Sequence, residues 1–331
     1  MKTEILTLLR ETDGYVSGQE LCEKFGVSRT AVWKAINQLK EAGYEIEAVQ
    51  NKGYRLVSVP DILSESELQS VRKTRWIGEK IAFFDVVDST NTRAKQLAEE
   101  GAPNGTYVIA ERQDAGKGRR GRGFDSPAGQ GIWMTLVLKP EIDPNHASMI
   151  TLVTALAVSK AITDMTGRPA GIKWPNDIYW KDRKICGMLI ENTLVGRCIE
   201  NCIIGAGINI NQQTFCSDAP NPVSLRQITG KEQEPVFILA DTVKRFKDYY
   251  RKIQQGQTED IVRNYRERLY RHNGFHLYQD ADGVFEAEIH DVEPTGHLVL
   301  ADRDGTTRRY AFKEVSYLIP SDTPPSAPFV L

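Results

Sequence analysis

Two helices that meet across a three-residue turn can pack in few ways, and this chain carries such a junction near its start. Ser17-Gly18-Gln19-Glu20 has the spacing of a capping box, in which a hydroxyl and a carboxylate satisfy each other's orphan backbone amides at a helix N-terminus. The helix it opens runs to Gly26-Val27-Ser28, a tight turn whose Ser28 is placed to cap the next helix. Upstream, Ile5, Leu6, Leu8 and Leu9 form an apolar stripe at helical spacing. Along the third helix Val32, Ile36 and Leu39 share one face, which leaves Arg29, Thr30, Trp33, Lys34 and Asn37 on the others. The pattern is that of a helix-turn-helix, whose second helix enters the major groove of DNA.

Charge distribution localises that reading. The whole chain has 42 basic against 44 acidic residues, a formal net charge of −2, so no polyelectrolyte partner is expected for the chain as a whole. Within residues 1–60 the balance is eight to eight, yet residues 28–40 contain no acid. The positive face is therefore local. Ser28, Arg29, Thr30, Trp33, Lys34 and Asn37 are the expected DNA contacts, with Arg29, Lys34 and Lys40 suited to phosphates or guanine edges and Asn37 or Gln38 to adenine. After Gly43, extended runs at 44–49 and 54–59 flank Gln50-Asn51-Lys52-Gly53 and predict a hairpin wing. A winged-helix module for a protein partner is the competing reading.

At 331 residues the chain has room for about two or three domains. Pro60-Asp61-Ile62-Leu63-Ser64-Glu65-Ser66 reads as a linker, so the expected division is a DNA-binding domain at 1–63, a catalytic domain at 64–272 and a small domain at 273–331. In the second stretch, strand-like runs at 81–87, 107–112, 132–139, 184–192 and 198–210 are interspersed with helices. One helix follows Asp143-Pro144 and stops at Gly167, and two more lie in 236–254 and 259–271, an α/β or α+β pattern. From 275 to 320, short alternating strands punctuated by Asp282-Gly283, Pro294-Thr295-Gly296 and Asp304-Gly305 predict a small β-barrel. The longest apolar stretch, 151–158, is cut by Ser159 and Lys160, and Met1-Lys2-Thr3-Glu4 lacks a signal core. The expectation is a cytoplasmic protein with no membrane partner. Five cysteines without a CxxC pair fit reduced thiols. His272 and His276 are separated by Asn273-Gly274, which breaks a helical metal pair, so no metal-ligating residues are expected.

The most unusual segment is Gly116-Lys117-Gly118-Arg119-Arg120-Gly121-Arg122-Gly123. It satisfies GxGxxG, but Phe124-Asp125-Ser126-Pro127 follows instead of a helix, and no Gly-Lys-Ser/Thr closes a P-loop. Four glycines open the backbone while Lys117, Arg119, Arg120 and Arg122 concentrate four charges in six residues, which suits a polyphosphate that is gripped and released. Lys173-Trp174-Pro175-Asn176-Asp177 follows a predicted strand, and Lys184 opens the next one, where an ammonium can bridge a carboxylate and a phosphate. Gly205-Ala206-Gly207-Ile208-Asn209 adds a close-approach backbone and an Asn suited to a purine edge. Asp88-Ser89-Thr90-Asn91 puts amides and hydroxyls at a helix N-terminus.

These motifs, together with Glu111-Arg112-Gln113 and the two flanking modules, resemble the bifunctional biotin protein ligases that also repress the biotin biosynthetic operon. Lipoate ligases share the catalytic fold, but the His-Asp that follows their glycine-rich motif does not follow the glycine-rich segment here, where Phe124-Asp125-Ser126-Pro127 stands instead. The resemblance implies an α+β multidomain fold: an N-terminal winged helix-turn-helix, a central α/β ligase domain like a class II synthetase and a C-terminal SH3-like barrel. It implies biotin held by Ser89, Thr90, Gln113, Gly116, Lys117, Gly118, Arg119 and Lys184, with Trp133, Thr135, Gly187 and Leu189 lining the ring pocket. ATP or the adenylate would meet Arg119, Arg120, Arg122, Phe124, Lys173, Asn176, Gly207 and Asn209. Lys117 stands where many relatives carry Arg, which keeps charge and loses the bidentate fork, and Phe124 stands where Trp is common.

By the same resemblance, biotin's carboxylate attacks the α-phosphate of MgATP to form biotinyl-5′-AMP. A lysine of a carboxyl-carrier protein domain then attacks the mixed anhydride. Lys184, Arg119 and Asp177 are the expected catalytic residues, Asp177 to orient or deprotonate the acceptor lysine. The adenylate-bound homodimer would occupy operator DNA. A repressor of the same fold that senses biotin without catalysis is the alternative, against which Lys184 and the complete basic loop speak.

Overall fold

The structure is a computed structural model and describes residues 1–59, 68, 70, 80–116, 127–144, 147–196, 198–216 and 221–319. Contacts divide the chain into two units, Met1–Lys73 and Thr74–Leu331. The expected boundary at 63/64 lies outside the described residues.

The first unit contains α1 (Lys2–Glu11), α2 (Gly18–Phe25), α3 (Arg29–Glu41) and a hairpin of β1 (Glu45–Val49) and β2 (Gly53–Ser58). The Ser17 hydroxyl accepts from the Glu20 amide, which forms the hydroxyl half of the expected capping box; both halves occur further on, at Ser224 and Gln227. Gly26 ends α2 at φ 64, a left-handed conformation that costs a side-chain-bearing residue more, and the Ser28 hydroxyl then accepts from the Ala31 amide. The predicted stripes meet: Ile5, Leu6, Leu9, Leu21, Val32, Ile36 and Leu39 form one buried cluster.

The wing has a third strand-like partner that the sequence did not announce. Val16 exchanges both backbone hydrogen bonds with Tyr54, at 2.8 and 2.9 Å. That approach needs Gly53, where φ is +115 and a Cβ would lie 2.1 Å from the Val16 carbonyl oxygen. Across the hairpin, Tyr15 and Arg55 both donate to Glu47 Oε2 at 2.7 Å.

The second unit is built on a seven-stranded sheet. Its strands are β3 (Ile81–Val87), β4 (Thr106–Gln113), β5 (Gly131–Leu138), β6 (Gly171–Lys173), β7 (Asp177–Trp180), β8 (Arg183–Val195) and β9 (Cys198–Asn209). Their order is β3-β4-β5-β9-β8-β7-β6, parallel only between β3 and β4, where α4 (Thr90–Glu99) makes the crossover. Every residue of β5 is buried, which requires cover on both faces. On one face α4 packs against β4, β5 and β9, with Ala94, Ala98, Val108, Val137 and Ile203 in contact. Elsewhere α5 (Ala147–Thr166) packs against α7 (Pro235–Gln254) and α8 (Thr258–Glu267); α6 (Leu225–Thr229) is a single capped turn between β9 and α7. α5 is long and apolar enough to cross a membrane, but 67% of its most apolar window is buried in the fold, which explains its composition as that of a core helix.

The C-terminal strands β10 (His276–Gln279), β11 (Val284–Val292), β12 (Leu298–Ala301), β13 (Thr307–Tyr310) and β14 (Ser316–Tyr317) form one antiparallel sheet in the order β13-β12-β11-β10-β14. A register shift between Ile289 and Asp291 bends β11. The expected barrel is thus a five-stranded sheet whose edges, among the described residues, are β13 and β14.

Gly53→Ala is expected to destabilise the first unit by about 2 kcal/mol or more, because the new methyl must displace backbone. Denaturant-dependent hydrogen exchange of the Val16 and Tyr54 amides in the full chain checks this; unchanged protection would show that the Val16–Tyr54 contact yields without cost.

Candidate functional site

On α3, Arg29, Thr30, Trp33 and Lys34 are exposed together with Ser28, and Asn37 is half-buried. Trp33 is 59% exposed, unusual for the largest apolar side chain, and it stands on the acid-free face with both cations. The cap at Ser28 leaves that face clear because the hydroxyl turns inward to the helix's own amide.

In the second unit, the residues expected around biotin converge from three elements. Thr90 opens α4, and its amide and hydroxyl both donate to Gln113 Oε1 at the end of β4, at 2.8 and 3.1 Å. Thr135, fully buried on β5, lies 2.9 Å from the Thr90 hydroxyl and donates to Asn91 Oδ1 at 2.7 Å. Ser89 is buried at the N-cap of α4. Trp133, two residues before Thr135 and therefore on the same face of β5, is fully buried, with its indole N–H 3.4 Å from the Pro127 carbonyl. Gly187 on β8 and Gly207 on β9 are register partners, and Gly207 also pairs with Trp133, so two residues without side chains stand beside the indole. Leu189 pairs with Gly205 one step along. Gly116 is buried at the edge of the described segment. Lys117, Gly118, Arg119, Arg120, Arg122 and Phe124 lie outside the described residues.

Lys184 and Asp177 meet. The β7–β8 hairpin brings Lys184 Nζ to 3.0 Å from Asp177 Oδ1, with the side chains 26% and 23% exposed. The lysine backbone is anchored: its amide donates to Asn221, its carbonyl accepts from Val223, and Asn209 Nδ2 reaches the same carbonyl at 3.4 Å. Asn209 is itself buried and accepts from Gln212 at 3.0 Å, so its amide is turned to the strand beneath Lys184. Asn176 donates to the Met188 carbonyl at 2.5 Å and holds the turn before Asp177 on β8. Lys173 is Asp177's register partner in the β6–β7 pair. Burial pushes the thiol of Cys186, beneath Lys184, well up, so it is an inert core group.

Two partnerships are not apparent from the sequence, Asn91 with Glu191 and Asn91 with Gly205. Asn91 accepts from Thr135 and donates to Glu191 Oε2 at 3.0 Å, and Glu191 also binds Lys95 at 2.7 Å, a chain of contacts from the buried Thr135 to the surface. Gly205 makes this possible, for a Cβ there would lie 2.0 Å from Asn91 Oδ1. The repeat of small residues at 205–207 was the available signal; its partner, 114 positions upstream, was not.

Comparison with known proteins follows the same division. Residues 83–209 match the Biotin/lipoate A/B protein ligase family, and residues 2–55 match an HTH domain. The bifunctional ligase/repressor BirA of Bacillus subtilis is 35% identical over 313 residues, which cover 90% of this chain and 92% of that protein. This chain belongs to the bifunctional ligase/repressor family. A second relative, the biotin–[acetyl-CoA-carboxylase] ligase of Paracoccus denitrificans, is 36% identical over 154 residues, covering 45% of this chain and 63% of that one. Among solved structures, the biotin protein ligase of Aquifex aeolicus in complex with biotin and ATP superposes with a TM-score of 0.63 at 26% identity, covering 73% of this chain and 100% of its own. The ligase/repressor family therefore spans both units, and the ligase fold lies in the second.

The packing at Gly205 is directly testable. Gly205→Ala is expected to cost about 1–3 kcal/mol of stability by overpacking, and Asn91→Ala in the same background is expected to cost less than the sum of the two single changes, since it removes the atom that clashes. Urea unfolding of the four chains measures the coupling; strict additivity would place the strain elsewhere.

Proposed function

We propose that this chain joins biotin to a carrier lysine at the expense of ATP and, with the intermediate bound, represses transcription from operator DNA. The observation that carries the reading is the Lys184–Asp177 pair, in the same seven-stranded sheet as the hydrogen-bonded group Thr90, Gln113 and Thr135, in a chain that aligns nearly end to end with a ligase/repressor.

The chemistry follows from charge. A biotin carboxylate oxygen attacks the α-phosphorus of MgATP, magnesium entering as part of that substrate. The P–O bond to pyrophosphate breaks, and pyrophosphate leaves with its electron pair. Two anions must approach for this, and Lys184 with Arg119 and Arg122 offsets the repulsion. Ser89, Thr90, Gln113, Gly116, Lys117 and Gly118 hold biotin, Trp133, Thr135, Gly187 and Leu189 surround its rings, and Arg120, Phe124, Lys173, Asn176, Gly207 and Asn209 serve the nucleotide. In the second step the amine of a carboxyl-carrier domain's lysine attacks the anhydride carbonyl, the C–O bond to the phosphate breaks, AMP departs with the electron pair, and Asp177 or solvent takes the proton that the new amide nitrogen sheds. Asp177 orients Lys184 in the first step and the incoming ammonium or amine in the second.

Repression needs two recognition helices on a palindrome, hence a C2 dimer that the adenylate favours over the free chain. Scarcity of carrier leaves the adenylate unspent, which couples repression to demand.

Lys184→Ala is expected to lower biotin-dependent ATP–pyrophosphate exchange by roughly 10²-fold or more. Near-normal exchange would leave Lys184 a structural role. For the regulatory half, biotin plus ATP is expected to raise both the dimer fraction in sedimentation and operator affinity in gel shift, and excess carrier to reverse both. Arg29→Ala or Lys34→Ala is expected to weaken operator binding while ligation persists, with a salt slope shallower by about one where the side chain meets a phosphate. Operator binding that ignores biotin and ATP, at constant mass, would remove the scheme.

A further inference from the structure

The motif that ends in Asp177 is held from outside by residues far from it in sequence. Lys173 Nζ lies over the ring of its near neighbour Tyr179, 4.9 Å from the centroid and 3.4 Å from the hydroxyl, and also over the ring of the distant Tyr317, at 5.4 Å. Trp174 Nε1 donates to the Gly296 carbonyl at 3.0 Å, and its ring meets Phe312 edge-on with centroids 6.3 Å apart. Tyr265 donates to the Pro175 carbonyl at 2.9 Å. Tyr317 lies on β14, and Gly296 and Phe312 lie in loops of the same C-terminal sheet.

Tyr317 is well seated for holding a cation. Its ring lies against Tyr278, with centroids 5.0 Å apart, and Tyr270, at 6.2 Å, and Arg271 donates to the carbonyl of the next residue, Leu318, at 3.1 Å. Only 9% of Tyr317 is exposed, and among the described residues its hydroxyl has no hydrogen-bond partner. What it offers Lys173 is therefore the negative face of a ring rather than an acceptor atom. Two rings beside one ammonium, one of which also accepts from it through the Tyr179 hydroxyl at 3.4 Å, restrict the freedom of a four-carbon stem. The ammonium so fixed belongs to the residue paired across the ladder with Asp177, which in turn binds Lys184.

We infer that Tyr317 is a positioning residue for adenylate formation, acting through Lys173. The inference rests on the ligase reading above and adds a residue from outside the biotin/lipoate ligase match. It predicts a dependence on the ring and not on the hydroxyl.

The test uses the full chain and biotin-dependent ATP–pyrophosphate exchange, with kcat and the KM values for ATP and biotin measured separately. Tyr317→Phe is expected to stay within about twofold of the wild type, and Tyr317→Leu to lose roughly tenfold in kcat/KM for ATP with the KM for biotin unchanged. In a Lys173→Met background, Tyr317→Leu is expected to cost nothing more, because the cation it positions is gone. Thermal midpoints identify any chain that fails to fold, and Tyr317→Met, which keeps apolar bulk without a ring, then replaces the leucine variant. Equal damage from Phe and Leu, full additivity with Lys173→Met, or wild-type kinetics for Tyr317→Leu would each overturn the inference. A wild-type chain without biotin-dependent exchange would instead overturn the ligase reading itself.

Discussion

One contact organises the ligase unit: the ammonium of Lys184, 3.0 Å from the carboxylate of Asp177. The proposed attack of a carboxylate on a phosphate needs positive charge already in place, because charge that must reorganise during the attack raises the barrier, and Lys184 is the residue we propose for it. A lysine side chain is a poor choice for this unless its root is rigid. Here the root is held by the β7–β8 ladder, by Asn221 and Val223 on its amide and carbonyl, and by Asn209 from β9. The strand order, with β8 between β7 and β9, therefore fixes the position of one charge.

A second constraint acts on the same sheet. Thr90, Asn91, Thr135 and Gln113 bring polar groups into a nearly dry layer between α4 and the sheet, where an unmet donor or acceptor costs more than in water. Each is met: Gln113 caps the Thr90 amide, Thr135 joins Thr90 to Asn91, and Asn91 passes the connection to Glu191. The layer closes only because Gly205 brings no side chain to it. Gly205 serves close approach, Gly26 serves backbone conformation, and Gly53 serves both.

The helix-turn-helix and the ligase place their functional residues by different means. On α3 the exposed cations and Trp33 follow from a single helical period and a cap three residues away. In the ligase unit, Lys173, Asp177 and Lys184 depend on β6, β7 and β8, on α8 through Tyr265, and on the C-terminal sheet through Tyr317 and Gly296.

That difference explains what could be read in advance. The sequence by itself determined α1 to α3, the wing, the five long strands of the ligase sheet within a residue or a few, and the identity of the motif residues, because each rests on local spacing: helical stripes, caps, alternation, turn glycines. It also marked Lys173, Asn176, Asp177 and Lys184 as residues of consequence. Tertiary structure alone decided that Val16 adds itself to the wing, that Asn209 turns to the backbone beneath Lys184, that Asn91 needs Gly205, and that Lys173 rests between Tyr179 and Tyr317. Those partners lie 6 to 144 positions apart, and chain packing, which leaves no periodic trace, is what brings them to within a few ångströms.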